Sequence, residues 1–128
     1  MAQLVTPYLL YEDAEAAAEF LVRAFGFREV DRQTGGGGGL HLELETDLGG
    51  RIYAGQPGGG FRNPGEVGHT SMVYVLVGAV DAHFERARDE GATIVQEPMD
   101  LPFGHRLYRC RDPQGHEWDF AEELEPSA

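Results

Sequence analysis

The feature that most constrains this chain is an internal repeat. Gly26, in Ala24-Phe25-Gly26-Phe27, returns 65 positions later as Gly91, in Asp89-Glu90-Gly91-Ala92. The turn Asp47-Leu48-Gly49-Gly50 returns at the same spacing as Asp112-Pro113-Gln114-Gly115. A chain built twice from one unit needs a packing in which the units bury one another's apolar faces, because neither has a core of its own.

Both copies read as strand, helix and three strands. In the first, residues 4–11 form an apolar strand. A helix over 14–25 has Asp13 as N-cap and Gly26 as stop, and a strand covers 27–33. Five glycines at 35–39 predict a turn, the alternation Leu40-His41-Leu42-Glu43-Leu44-Glu45 a half-buried strand, and 51–55 a short fourth strand. The second copy places strands at 71–77, 93–97, 106–111 and 117–122, a helix at 80–90, and a loop around 98–104. The expected architecture is α+β. Two tandem βαβββ modules, over 4–55 and 69–124, are joined by a Gly/Pro-rich linker at 56–68 and make a single domain over 1–128. Their sheets form a curved eight-stranded mixed sheet with helices outside and a central cavity, where a small ligand binds.

Charge and cysteine content narrow the function classes. A net charge of −12 leaves no basic face for nucleic acid or an anionic membrane. It suits a cationic ligand, or simply serves solubility. Cys110 is the only cysteine, which excludes an intramolecular disulfide and a cysteine-rich zinc site. Its neighbours Arg109 and Arg111 point to the opposite face of a strand, so Cys110 reads as core. The start MAQLVTPYLL lacks the basic opening and apolar run of a secretion signal, and no run of ~18 apolar residues occurs; a cytoplasmic protein is expected.

The segment Arg111-Asp112-Pro113-Gln114-Gly115-His116-Glu117-Trp118-Asp119-Phe120 resembles the "DPxGHxW" ending of the vicinal oxygen chelate superfamily, which includes glyoxalase I, extradiol dioxygenases and fosfomycin- and bleomycin-resistance proteins. Glu12 to Phe20, running into Phe25-Gly26-Phe27, is similar to the family's first-helix passage. The resemblance implies four metal-ligand positions, one early in the first strand and one late in the fourth strand of each module. Counted seven residues back from the helix start and four on from the turn glycine, they fall on Thr6, Ala54, Met72 and Asp119. These side chains do not make a divalent-cation site, so neither metal nor cofactor is expected. The chain is most similar to a metal-free, bleomycin-resistance-like branch. That resemblance implies a homodimer that sequesters a small, cationic compound. The alternative is an enzyme of the same superfamily (lyase, dioxygenase or isomerase), using a displaced metal site or acid–base chemistry by His41, Glu43 or Asp119.

Individual residues carry two readings each. His41 and Glu43 share a strand face and serve acid–base chemistry if that face lines the cavity; otherwise they are a solvated polar face. Asp119 should point away from Trp118 and Phe120, into the cavity, as an acidic pocket group or as the partner of Arg109. Tyr8, Met72 and Tyr74 share the cavity parity or are ordinary core. His105 lies in a loop that borders the pocket in the family. His69 reads as an exposed linker residue, or as one that a loop near the cavity mouth brings in; His83 reads as a surface helix position and His116 as structural.

Overall fold

The protein is described by a computed structural model over residues 3–34 and 39–125, so all but Gly39 of the glycine turn lies outside the described residues. In chain order the elements are β1 (Tyr8–Leu10), α1 (Ala14–Phe25), β2 (Arg28–Thr34), β3 (Leu40–Glu45), β4 (Arg51–Gly55), α2 (Pro64–Val67), β5 (Met72–Leu76), α3 (Val80–Asp89), β6 (Thr93–Asp100), β7 (His105–Arg111) and β8 (Glu117–Glu123). The α+β class and the βαβββ order therefore hold for both modules. The eight strands stand in two four-stranded mixed sheets, β1-β4-β3-β2 and β5-β8-β7-β6, with no ladder between them among the described residues. In each sheet the first strand pairs in parallel with the fourth and the other pairs are antiparallel.

Local chemistry explains most boundaries. Asp13 accepts from the Ala16 N–H at 3.0 Å and starts α1. Gly26 turns left-handed at φ 73°, and the N–H groups of Gly26 and Phe27 close the helix on the Val22 and Leu21 carbonyls. Strand β1 is shorter than its apolar run: its parallel ladder with β4 opens at Tyr8↔Tyr53, after Pro7, which has no N–H to donate, and closes at Leu10↔Gly55, the last residue of β4. Strand β6 is longer than expected. It is an edge strand whose bulges, between Ile94 and Gln96 and between Gln96 and Met99, carry it past Pro98. The linker holds the helical turn α2, with Pro64 in its first turn.

The repeat is real, but its spacing is 66 rather than 65 in the first, third and fourth strands of each module. Tyr8 pairs Tyr53 as Tyr74 pairs Asp119. Gly49 and Gly115 hold matching turn positions at φ 99° and 98°. Thr46 N–H donates to the Gly50 carbonyl as Asp112 N–H donates to that of His116. The helix stops and the strands that follow them keep 65, Arg28↔Glu45 matching Thr93↔Arg111, because α3 is shorter than α1.

The core lies on the helix-covered faces of both sheets. Leu9, Leu42, Leu44, Ile52 and Ala54 of the first sheet pack with α1, and all are buried. Trp118 and Phe120 stack at 5.9 Å with 5° between their planes, and the Phe25 ring, from the end of α1, sits 5.3 and 4.7 Å from them. The first module's helix thus caps the second module's sheet. Asp112, buried in the last turn, receives N–H groups of Gln114 and His116 on one oxygen, and the Tyr11 hydroxyl and Trp118 indole N–H on the other, at 2.7–3.1 Å.

His83 corrects the expectation of a surface residue. It is largely buried between modules, its Nε2–H donating to the Phe25 carbonyl at 2.9 Å while its Nδ1 meets the Tyr108 hydroxyl at 2.5 Å. The helix periodicity of 80–90 is weakly apolar, so nothing in the local sequence distinguishes this inner position. Burial lowers its pKa to about 4 from 6.5. Above 6.5 the ring is neutral in both states and His83 adds no pH dependence. As pH falls from 6.5 to about 4 the unfolded chain binds a proton that the native one refuses, so stability declines by about 3 kcal/mol. Urea midpoints measured across this range should fall less steeply for His83→Gln than for the native protein. Trp118→Ala, measured by chemical unfolding at pH 7.5, should cost about 3–5 kcal/mol as a core truncation.

Candidate functional site

Strand alternation gives each sheet a second face, turned away from the helices. On the first sheet, the register Tyr8↔Tyr53↔Glu43 and Gly55↔His41 gathers Tyr8, His41, Glu43 and Tyr53 there. The Tyr8 hydroxyl lies 2.6 Å from His41 Nδ1, and His41 Nε2 lies 3.3 Å from Glu43. Arg51 approaches the other oxygen of Glu43 at 3.8 Å. The Tyr53 ring stands edge-on to both Tyr8 and His41, with centroids 5.7 and 5.2 Å away. Tyr8, Leu10, Leu40, His41, Gly55 and Gln56 border a hollow of about 280 Å³.

On the second sheet the same alternation presents Met72, Tyr74, Arg109, Glu117 and Asp119. Asp119 is 1% exposed, and both of its oxygens accept from Arg109, at 2.7 and 3.0 Å. Of the two readings for Asp119, the ion pair is the one observed: the surface offered at this point is guanidinium, not carboxylate. The pair also holds the Arg109 pKa above its ordinary value. Tyr74 bonds His105 Nδ1 at 2.6 Å, and burial, followed by the charge of Asp119, raises its pKa. Glu117 lies 3.5 Å from both His69 and Arg111; His69 is exposed, as expected of the linker, with its ring at this edge.

The expected residues therefore form two groups. Tyr8, His41 and Glu43 sit together on one sheet; Tyr74 with His105, and Arg109 with Asp119, sit on the other, beside the half-exposed Met72. No hydrogen bond, ion pair or ring contact joins the groups among the described residues. Tyr53 was missed by sequence reasoning. The 65-residue spacing put the fourth-strand position on Ala54, which is buried against the helix layer. The structural match of Gly115 is Gly49, and four residues on from it lies Tyr53. Alternation around the turn was the available signal, since Ile52 and Ala54 share the core parity.

The corrected family quartet is Thr6, Tyr53, Met72 and Asp119. Two hydroxyls, a thioether and a carboxylate already claimed by Arg109 do not fit a divalent cation. Among the described residues no group of three or more His, Cys, Asp or Glu side chains is placed to hold one. Cys110 is buried on the core face, and desolvation pushes its thiol pKa well up, which leaves an unreactive thiol. A larger hollow of about 530 Å³ lies over α1 beside Asn63 and Pro113, but its Asp13, Asp112 and Gln114 side chains are engaged in holding the fold. No helix among the described residues is long and apolar enough to cross a membrane.

Comparison with known proteins agrees with the fold. The model of the Glyoxalase/Bleomycin resistance protein/Dioxygenase superfamily matches residues 3–120. An uncharacterised protein of Mycobacterium tuberculosis is 33% identical over 125 residues, which cover 92% of this chain and 73% of that protein. The crystal structure of TioX from Micromonospora sp. ML1 superposes with a TM-score of 0.74 at 35% identity, covering 98% of this chain and all of TioX. The fosfomycin resistance protein FosX from Listeria monocytogenes shares the fold at 14% identity and a TM-score of 0.69, over 97% of this chain and 95% of FosX. The chain belongs to the glyoxalase/bleomycin resistance protein/dioxygenase superfamily.

Proposed function

We propose that this protein binds a small organic molecule against the helix-free faces of its sheets, without a metal, and does so as a homodimer. The observation that carries the reading is the exposure of large side chains beside polar groups on those faces. Tyr8, Met72 and Tyr74 are 48%, 43% and 42% exposed. Apolar faces studded with a few convergent polar groups are the usual make-up of a ligand site. Within one chain the modules meet through α1, α3 and the aromatic core, so the two faces do not close on each other. A second copy, laying its second sheet over the first sheet of its partner, encloses both groups in one pocket. Retention of a drug-like compound in the cytoplasm, as the family's name suggests for some relatives, needs only such a pocket.

An enzymatic reading has one observation in its favour, the hydrogen-bonded series Tyr8–His41–Glu43. A histidine between a carboxylate and a phenol is a general acid–base arrangement and would serve a metal-free isomerase. Turnover of the bound compound, followed by mass spectrometry, separates the two readings.

Light scattering at micromolar concentration should give about twice the 14.1 kDa chain mass; a monomer would remove the shared-pocket arrangement. Zinc, nickel and manganese, added one at a time, should leave the melting temperature nearly unchanged. A ligand at 100 times its dissociation constant would add about 2.7 kcal/mol, and a gain of that size lost in Asp119→Asn would disprove the metal-free site.

A further inference from the structure

We infer that the Tyr8–His41–Glu43 series with Tyr53 is the recognition site for a protonated amine that still carries N–H groups. This deepens the binding reading above and rests on it. Glu43 is an acceptor only, so the 3.3 Å contact with His41 Nε2 requires the hydrogen on Nε2. A neutral imidazole then has a lone pair on Nδ1, and the 2.6 Å contact is the Tyr8 hydroxyl donating to it. With its one hydrogen directed inward, Tyr8 offers the pocket only its oxygen lone pairs. The sheet therefore fixes the polarity of the hydroxyl: it accepts and does not donate. Tyr53 and Tyr8, inclined at 82°, supply ring faces that favour a cation at the same place.

The neighbouring backbone is shaped for this arrangement. A side chain at Gly55 would bring its Cβ to 2.7 Å from the Tyr8 hydroxyl and 2.8 Å from the ring, so only glycine lets Tyr8 lie across the strand. The second sheet has no such fixed polarity. Tyr74 meets His105 Nδ1 at 2.6 Å, but among the described residues no acceptor holds the His105 Nε2 side, so either group of that pair can donate. A ligand with one N–H-bearing cationic end is thereby oriented, cation toward the first sheet.

Two measurements test this. In the ligand-free protein at pH 8, long-range ¹H–¹⁵N correlations should show His41 as the Nε2–H tautomer; the Nδ1–H tautomer, or a doubly protonated ring, overturns the polarity. Binding is then measured by calorimetry for 9-aminoacridinium, 10-methylacridinium, which has the charge without N–H, and acridine-9-carboxylate. The first should bind at least about tenfold tighter than either of the others, equivalent to about 1.4 kcal/mol. Tyr8→Phe, and independently Gly55→Ala, should bring the ratio of the two cations close to one. A native ratio near one, or a ratio unchanged in Tyr8→Phe, overturns the recognition site. If none of the three dyes binds saturably, the binding reading falls and the recognition site falls with it. The tautomer result stands apart from that failure.

Discussion

Four donors converge on the Asp112 carboxylate, and most of the architecture is organised around that convergence. Two are N–H groups of its own turn, one is the Trp118 indole, and one is the hydroxyl of Tyr11 from the other module. A buried carboxylate without partners would cost several kcal/mol, whereas one satisfied by four donors is compatible with a dry core. Its neighbours reach the same way. Gln114 receives the Asp13 N–H at 3.1 Å and donates to the Asp13 carbonyl at 2.8 Å, and His116 donates to the Leu10 carbonyl at 2.7 Å. A Cβ at Gly115 would strike the Gly65 nitrogen at 2.1 Å. The motif that carries the family resemblance is thus a clasp between modules. It specifies a fold and supplies no reactive group, which is why the fold hosts unrelated functions.

The clasp has a partial counterpart across the repeat. Asp47 accepts from Gly78 just before α3, as Gln114 accepts from Asp13 just before α1. Gln56 receives the Ala14 N–H and Glu122 the Val80 N–H, each beginning a helix from the position that follows or ends its sheet's parallel pair. The second bond explains how α3 starts at Ala79, which has no capping side chain. Thr46 stands where the second module has Asp112 and bonds only within its own turn. The two modules are therefore alike in backbone and unlike in their joint. With the helices drawn together by these contacts, the opposite sheet faces are left for other partners.

Much of this was legible before any coordinates. The alternation of 40–45, the Asp13 cap and the Gly26 stop define elements by local chemistry, and the structure has them at those residues. The opposite facing of Trp118 and Asp119 followed from period-two geometry alone. What was not legible depends on non-local facts. The span from helix start to stop glycine is one residue shorter in the second module, Val80 to Gly91 against Ala14 to Gly26, which changes the spacing from 66 to 65 and moved a site position from Tyr53 to Ala54. The burial of His83 depends on where the end of α1 lands, and no periodicity within α3 encodes that. Bulges that keep Pro98 inside β6 depend on its being an edge. The grouping of site residues into two separate faces is likewise a property of module packing, not of either module's sequence.

The charge of the chain acts differently from what composition suggests. A net charge of −12 invites the idea of a negatively charged pocket, yet the carboxylates on the helix-free faces are largely matched: Asp119 by Arg109, Glu117 by Arg111, and Glu45 by Arg28 and Arg51. Arg28 is the chief cause of the lowered Glu45 pKa, a local effect at an exposed site. The unmatched acids elsewhere on the surface act through solvent and are screened beyond about 8 Å at physiological ionic strength. They raise the encounter rate of a cation without fixing its pose. In the proposed amine site, discrimination therefore comes from short-range features: the direction of one phenolic hydrogen and the ring faces beside it. Under that proposal the acidic composition governs approach, while hydrogen-bond polarity governs fit.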